Sequence, residues 1–186
     1  MNMDDQSQFL GLIAERLHAL DIQYMLTGSM VLAIYAIPRM TRDIDIVVDI
    51  SIADVSRFVG AFKDDCYIDE PAVLDAVSHH AMFNVIHNEL LVKADFIVKK
   101  THPYRIAEFN RRTSFLFDNQ ELQLVSPEDL ILSKLSWAKD CSTDRQLEDI
   151  RQILAGKKKL DLTYINEWAK ELGLSSIWLK VKNKYE

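Results

Sequence analysis

Apolar residues recur at spacings of three and four between positions 5 and 20. Phe9, Leu10, Leu12, Ile13, Leu17 and Leu20 fall on one side of a helix. A short apolar run over 22–26 then reads as a strand, interrupted by Thr27-Gly28-Ser29. The pattern returns to helix from 30 to 37 and stops at Pro38, whose ring and missing N–H end helices. Residues 44–50 are rich in β-branched side chains and predict a second strand. Ser51 has the side chain of an N-cap for a helix reaching Phe62, and a further helix is expected after Pro71. Two apolar runs, 81–86 and 90–98, flank His87-Asn88-Glu89 and predict a hairpin. Residues 103–112 read as a helix. Residues 115–117 and 121–125 predict another hairpin about Asp118-Asn119.

Ser126-Pro127-Glu128-Asp129 marks a helix start, with Ser as cap, Pro at the first position and acids in the first turn. Only helices are expected beyond it, broken near 141–142, 156–159 and 173. Strands mixed with helices, then a helical tail, predict an α+β fold. Regular βαβ alternation is missing after residue 80, which argues against a doubly wound parallel sheet. The boundaries follow: an α/β core over 1–125, and a helical part over 126–186 packed on it as a single compact unit.

Composition narrows the class. With 48% hydrophobic residues, 5 Gly and 4 Pro in 186 residues, the chain is neither disordered nor collagen-like. A net charge of −6 excludes a globally basic nucleic-acid coat, though not a local basic patch. Cys66 and Cys141 match no zinc spacing and read as reduced thiols. The polar, acidic N-terminus lacks a secretory pattern, and no apolar run reaches the roughly 18 residues that span a bilayer. A cytoplasmic protein without membrane contact is expected.

The chemistry lies around Asp43-Ile44-Asp45-Ile46. On a strand, residues two apart face the same side, so both carboxylates project together while Ile44, Ile46 and Val48 face the core. Paired like charges call for a cation, and hard divalent ions bind one or two carboxylates plus phosphate oxygens. Gly28-Ser29 lies upstream, with 13 residues between Ser29 and Asp43, at the end of a strand and the start of a helix, where backbone N–H groups attract anions. Asp95 sits mid-strand with Lys93 and Ile97 on its side. In such an apolar run it needs a partner, which Asp43 and Asp45 with a shared metal would supply. A base there could also take a proton from an attacking hydroxyl.

The pattern Leu26-Thr27-Gly28-Ser29, spacer, Asp43-Ile44-Asp45-Ile46 and a later strand Asp resembles the nucleotidyltransferase superfamily typified by DNA polymerase β. Over residues 20–155, the segment Ile37 to Ile46, the Ser126 to Lys134 segment and Arg145-Gln146-Leu147-Glu148-Asp149 resemble the AbiEii/MenT-type minimal bacterial nucleotidyltransferases. That group's later motif is Arg-x-Lys-Asp-x-x-Asp. The chain departs from it at Thr143, Arg145 and Gln146.

The resemblance implies a mixed β-sheet flanked by helices and an enzyme moving NMP from an NTP, ATP among them, to a hydroxyl with release of pyrophosphate. It implies Asp43, Asp45 and Asp95 as catalytic ligands of Mg²⁺ or Mn²⁺, and Gly28 and Ser29 on the β and γ phosphates. Arg42 and Lys134 would neutralise triphosphate charge, with Asp149 beside them in the nucleotide site. The acceptor is left among RNA or tRNA, a protein and a small molecule. An antitoxin partner fits a toxin or phage-defence role. An antibiotic-modifying enzyme and an idle nucleotide-binding module are the alternatives.

Other polar groups have plainer readings. Asp49 ends its strand. Arg39 and Arg42 divide between phosphate and solvent, and Asp149 is explained equally by an ion pair with Arg145 one turn away. His79, His80 and His87 fit no zinc pattern. Lys157, Lys158 and Lys159 form a solvated helix end. The basic stretch over 93–112 either guides RNA or triphosphate or is ordinary surface. Trp137, Trp168 and Trp178 are assigned to the core.

Overall fold

The computed structural model describes residues 3–37, 43–118, 120–141, 144–156 and 159–183. The chain divides into two compact units, one from Met1–Met30 and Met40–Leu124, the other from Val31–Arg39 and Val125–Glu186, each taken over its described residues.

The first unit runs α1 (Met3–Ala19), β1 (Gln23–Thr27), the start of α2 (Gly28–Tyr35), β2 (Asp43–Asp49), α3 (Val55–Phe62), β3 (Cys66–Tyr67), α4 (Glu70–His79), β4 (Met82–His87), β5 (Lys93–Val98), α5 (Pro103–Asn110), β6 (Thr113–Phe117) and β7 (Gln120–Leu124). Seven strands form one sheet in the order β3-β4-β5-β2-β1-β7-β6. The sheet is mixed: β2 with β5 and β1 with β7 are parallel, the other pairs antiparallel.

Both expected hairpins form, and β1 returns beside β2 as the short spacer demands. Helix α2 starts directly at Gly28, two residues before the pattern shows it. The helix expected after Ser51 opens with a 3₁₀ turn over Ile52–Asp54, in which both the backbone N–H and the hydroxyl of Ser51 donate to Asp54. Strand β3, two residues long, was not expected, because so short a segment shows no period.

The apolar alternation of the central strands sets the core. Ile44, Ile46, Val48, Val92, Ala94, Phe96 and Val98 are buried on one face. There Phe83 and Phe96, register partners in β4 and β5, lie with parallel rings, and Phe58 and Phe62 from α3 meet them edge-on or tilted. Such pairs add about 0.5–1.5 kcal/mol each beyond burial. Arg16 of α1 forks onto Asp65 at 2.5 and 2.8 Å.

The second unit takes the rest of α2 and adds α6 (Pro127–Cys141), α7 (Asp144–Ala155), α8 (Leu162–Glu171) and α9 (Ser175–Lys182). Tyr35 Oη donates to the Val125 carbonyl at 2.8 Å. Ser126 caps α6 as expected: its Oγ accepts from the Asp129 N–H and donates to the Asp129 carboxylate. The acids of that first turn also organise α8. Asp129 accepts from Tyr164 Oη at 2.8 Å, and Glu128 from the Asp161 N–H at 3.0 Å. Helix α8 ends where Gly173 takes φ +66°, and the Leu174 N–H reaches back to the Ala169 carbonyl, a Schellman closure. Trp178 is buried and Trp168 half-buried, but Trp137 is 61% exposed, so its assignment to the core is corrected. Its α6 neighbours Leu130, Ile131, Leu132 and Leu135 fill the buried side. Among the described residues no helix is long and apolar enough to cross a membrane.

Candidate active site

Strand register brings the separated acids into one row. Asp45 in β2 is the partner of Asp95 in β5, Asp95 is the partner of Asn84 in β4, and Asp45 is also opposite Thr27 in β1. One step along the same face, Asp43 is opposite Lys93. The apolar side of these strands is sealed in the core, so the sheet presents its polar residues together. Asp43 and Asp45 are half-exposed, while Asp95 is 8% exposed.

Each acid on this row has company. Asn84 Nδ2 donates to one oxygen of Asp95. Lys93 Nζ donates to the other at 3.0 Å and lies 3.4 Å from Asp43 Oδ1. The hydrogen bond to Asp95 holds the Lys93 pKa above its ordinary value, helped by the charges of Asp95 and Asp43 and opposed by partial burial. The lysine thus ties the first carboxylate of the Asp-x-Asp pair to the third.

Gly28 completes the row from the side. It takes φ +70° at the turn from β1 into α2, and a Cβ there would meet Asp45 Oδ2 at 2.0 Å. Only glycine allows this backbone course and this approach together. The N-terminus of α2, with Gly28 and Ser29, therefore opens beside Asp45, and the positive end of its helix dipole favours negative charge there.

The donor set suits a hard divalent ion, since all three candidates are carboxylates. Among the described residues, however, no three His, Cys, Asp or Glu side chains are gathered closely enough to hold a metal. Among the described residues, the Lys93 ammonium lies within ion-pair distance of both Asp43 and Asp95.

Arg42 and Arg39, like Lys157 and Lys158, lie outside the described residues. Lys134 and Asp149 belong to the second unit, where Lys134 Nζ lies 2.6 Å from Asp149 Oδ2 and 3.4 Å from Gln146 Oε1. Both side chains are at most 5% exposed, so Asp149 is a buried partner of Lys134 and not a surface partner of Arg145. The basic stretch over 93–112 is neutralised in part: Lys99 pairs with Asp49, and Arg105 with Glu108 at 2.8 Å. His87 is buried against Phe9, and its Nδ1 accepts from the Glu89 and Leu90 N–H groups, as suits a structural imidazole.

Sequence reasoning missed Asn84 and the bridging role of Lys93. Lys93 was visible as a same-face neighbour of Asp95. Asn84 was not, because its partner depends on hairpin register.

No protein-family model matches the chain, and no curated protein matches it in sequence. Solved structures do. The antibiotic-resistance factor ANT(2'')-Ia has a TM-score of 0.62 at 12% identity, covering 97% of this chain and 98% of that one. An antigenic nucleotidyltransferase-like protein from Paracoccidioides brasiliensis has a TM-score of 0.58 at 19% identity, covering 83% and 76%. The lincosamide antibiotic adenylyltransferase LnuA, with lincomycin bound, has a TM-score of 0.52 at 13% identity, covering 82% and 96%. The mixed sheet, its flanking helices and these likenesses agree: the chain has the nucleotidyltransferase fold.

Proposed function

We propose that the chain is a metal-dependent nucleotidyltransferase that moves a nucleoside monophosphate from an NTP to a hydroxyl acceptor. The observation that supports this most is the register of Asp45 with Asp95 beside Gly28 at the start of α2. Asp43, Asp45 and Asp95 would hold Mg²⁺ or Mn²⁺. Bound there, the ion would offset triphosphate charge and polarise the reacting phosphate. Gly28 and Ser29 receive the phosphates at the helix N-terminus. Arg42, next to Asp43 in sequence, adds positive charge.

The acceptor oxygen attacks the α-phosphorus, its new O–P bond forms, and the bond to pyrophosphate breaks. Asp95, positioned by the hydrogen bond from Asn84, takes the hydroxyl proton. Positioning and electrostatics do most of the work in such a transfer. The part of Lys134 and Asp149 in nucleotide binding is proposed on the motif resemblance alone; within the second unit the two are paired with each other.

The motif resemblance favours a toxin of the AbiEii/MenT type acting on RNA or protein, with an antitoxin partner. The net charge of −6 and the internal pairing of Lys99 and Arg105 favour a second reading, a cationic small-molecule acceptor such as an antibiotic.

Label transfer tests the chemistry. Wild type and Asp45→Asn are incubated with each α-labelled NTP, Mg²⁺ or Mn²⁺, and a lysate. Product made by wild type alone supports the proposal, and its sensitivity to RNase or protease assigns the acceptor class. No product under any condition, from folded protein, overturns it in favour of an idle nucleotide-binding module.

A further inference from the structure

The Lys93 ammonium lies within 3.0 Å of Asp95 and 3.4 Å of Asp43, two of the three residues assigned to the metal. It comes from β5 itself, two residues before Asp95, so the strand pleat fixes it on the carboxylate face. A side chain that is 38% exposed keeps rotamer freedom to leave. Asn84 also donates to Asp95 and is neutral, so among the described residues Lys93 is a positive charge placed to offset both Asp43 and Asp95.

We propose that Lys93 is a built-in counterion. It holds the acidic row together before a divalent cation binds, and it sets how tightly that cation binds because the cation must displace it. This rests on the metal-dependent reading above. A divalent ion and the ammonium would compete for the oxygens of Asp43 and Asp95, since the two cations repel each other. Binding of a divalent ion there would weaken or replace the lysine contacts to Asp43 and Asp95. Lys93 is in this sense a positioning residue for the acids and a competitor of the metal.

The test is Mn²⁺ binding without nucleotide, read by electron paramagnetic resonance and by the shift in thermal midpoint. It uses wild type, Lys93→Met, Lys93→Gln, Lys93→Arg and Asp45→Asn. Removing the positive charge should tighten Mn²⁺ binding at least about tenfold in Lys93→Met and Lys93→Gln. In EDTA these two should melt below wild type, and Mn²⁺ should restore them. Lys93→Arg, which keeps the charge, should behave like wild type in both measurements.

Lys93→Gln keeps a polar stem, so it covers the case in which Lys93→Met fails to fold. Unchanged or weaker Mn²⁺ binding in folded neutral variants, with binding lost in Asp45→Asn, would overturn the counterion while leaving the metal site standing. No Mn²⁺ binding to any folded protein, wild type included, would overturn both.

Discussion

The carboxylate of Asp45 occupies the space that a side chain on Gly28 would need. A Cβ at position 28 would stand 2.0 Å from Oδ2 and 2.8 Å from Cγ. Gly28→Ala must therefore move Asp45 or the start of α2, and it also forces a side chain into the left-handed region at φ +70°. The backbone cost alone is about 1–2 kcal/mol. Label transfer should fall at least about a hundredfold, given what small misplacements cost at a reacting centre. Circular dichroism should still report a folded chain.

Asp43→Asn and Asp45→Asn should abolish transfer with little loss of stability, because both side chains are half-exposed. Asp95→Asn should abolish it and also destabilise. The new amide would leave Lys93 and Asn84 facing a weaker acceptor at a buried position, at about 1–3 kcal/mol. Urea melts of the three variants, run beside the transfer assay, separate the two effects.

The buried pair of Lys134 and Asp149 joins α6 to α7 at 2.6 Å. Lys134→Met alone leaves a buried carboxylate without its cation and should cost about 3–5 kcal/mol. Adding Asp149→Leu should recover most of that loss, since a well-packed apolar pair often matches a buried ion pair. A double-mutant cycle in urea measures the coupling. Additive losses would contradict it.

Two groups near α1 give stability a pH dependence at opposite ends. Arg16 holds the Asp65 carboxyl below the ordinary carboxylate range. Between the folded value and about pH 4 the unfolded chain binds the extra proton, so stability falls as pH drops through that window. Asp65 is about a third exposed, so the effect is small, and Arg16→Met should flatten it.

Burial, then the neighbouring Asp65, pushes the Cys66 thiol up to about 12. From about pH 9 upward the unfolded chain loses a proton that the folded chain keeps, so stability falls toward pH 12. Cys66 should also react slowly with a thiol reagent at pH 8 until the chain is unfolded in urea. Fast labelling of native protein would refute this.

Side-chain periodicity made the elements legible, because local alternation reports which side of a strand or helix is buried. The hairpin β4–β5, the cap at Ser126 and the break at Gly173 all follow from residues within a few positions of each other. The order of strands does not. Leu26 meets Leu124 across nearly 100 residues, and no local pattern encodes that pairing. The same limit hid Asn84, whose place beside Asp95 is set by register, and gave Asp149 the wrong partner, since Arg145 is near in sequence while Lys134 is near in space. Trp137 misled for another reason: helical spacing shows that a helix has a buried side, but a wide apolar stripe leaves its edge undefined.

Strand β5 brings Lys93 and Asp95 into the sheet together. Asp45 and Asp95 are 50 positions apart, so their pairing is long-range and closes a large loop. When the third acid docks beside the first two, its own strand delivers a positive charge in the same step. Part of the charge repulsion that this pairing would raise is thus offset by a residue of the strand that creates it, without any ion from solution.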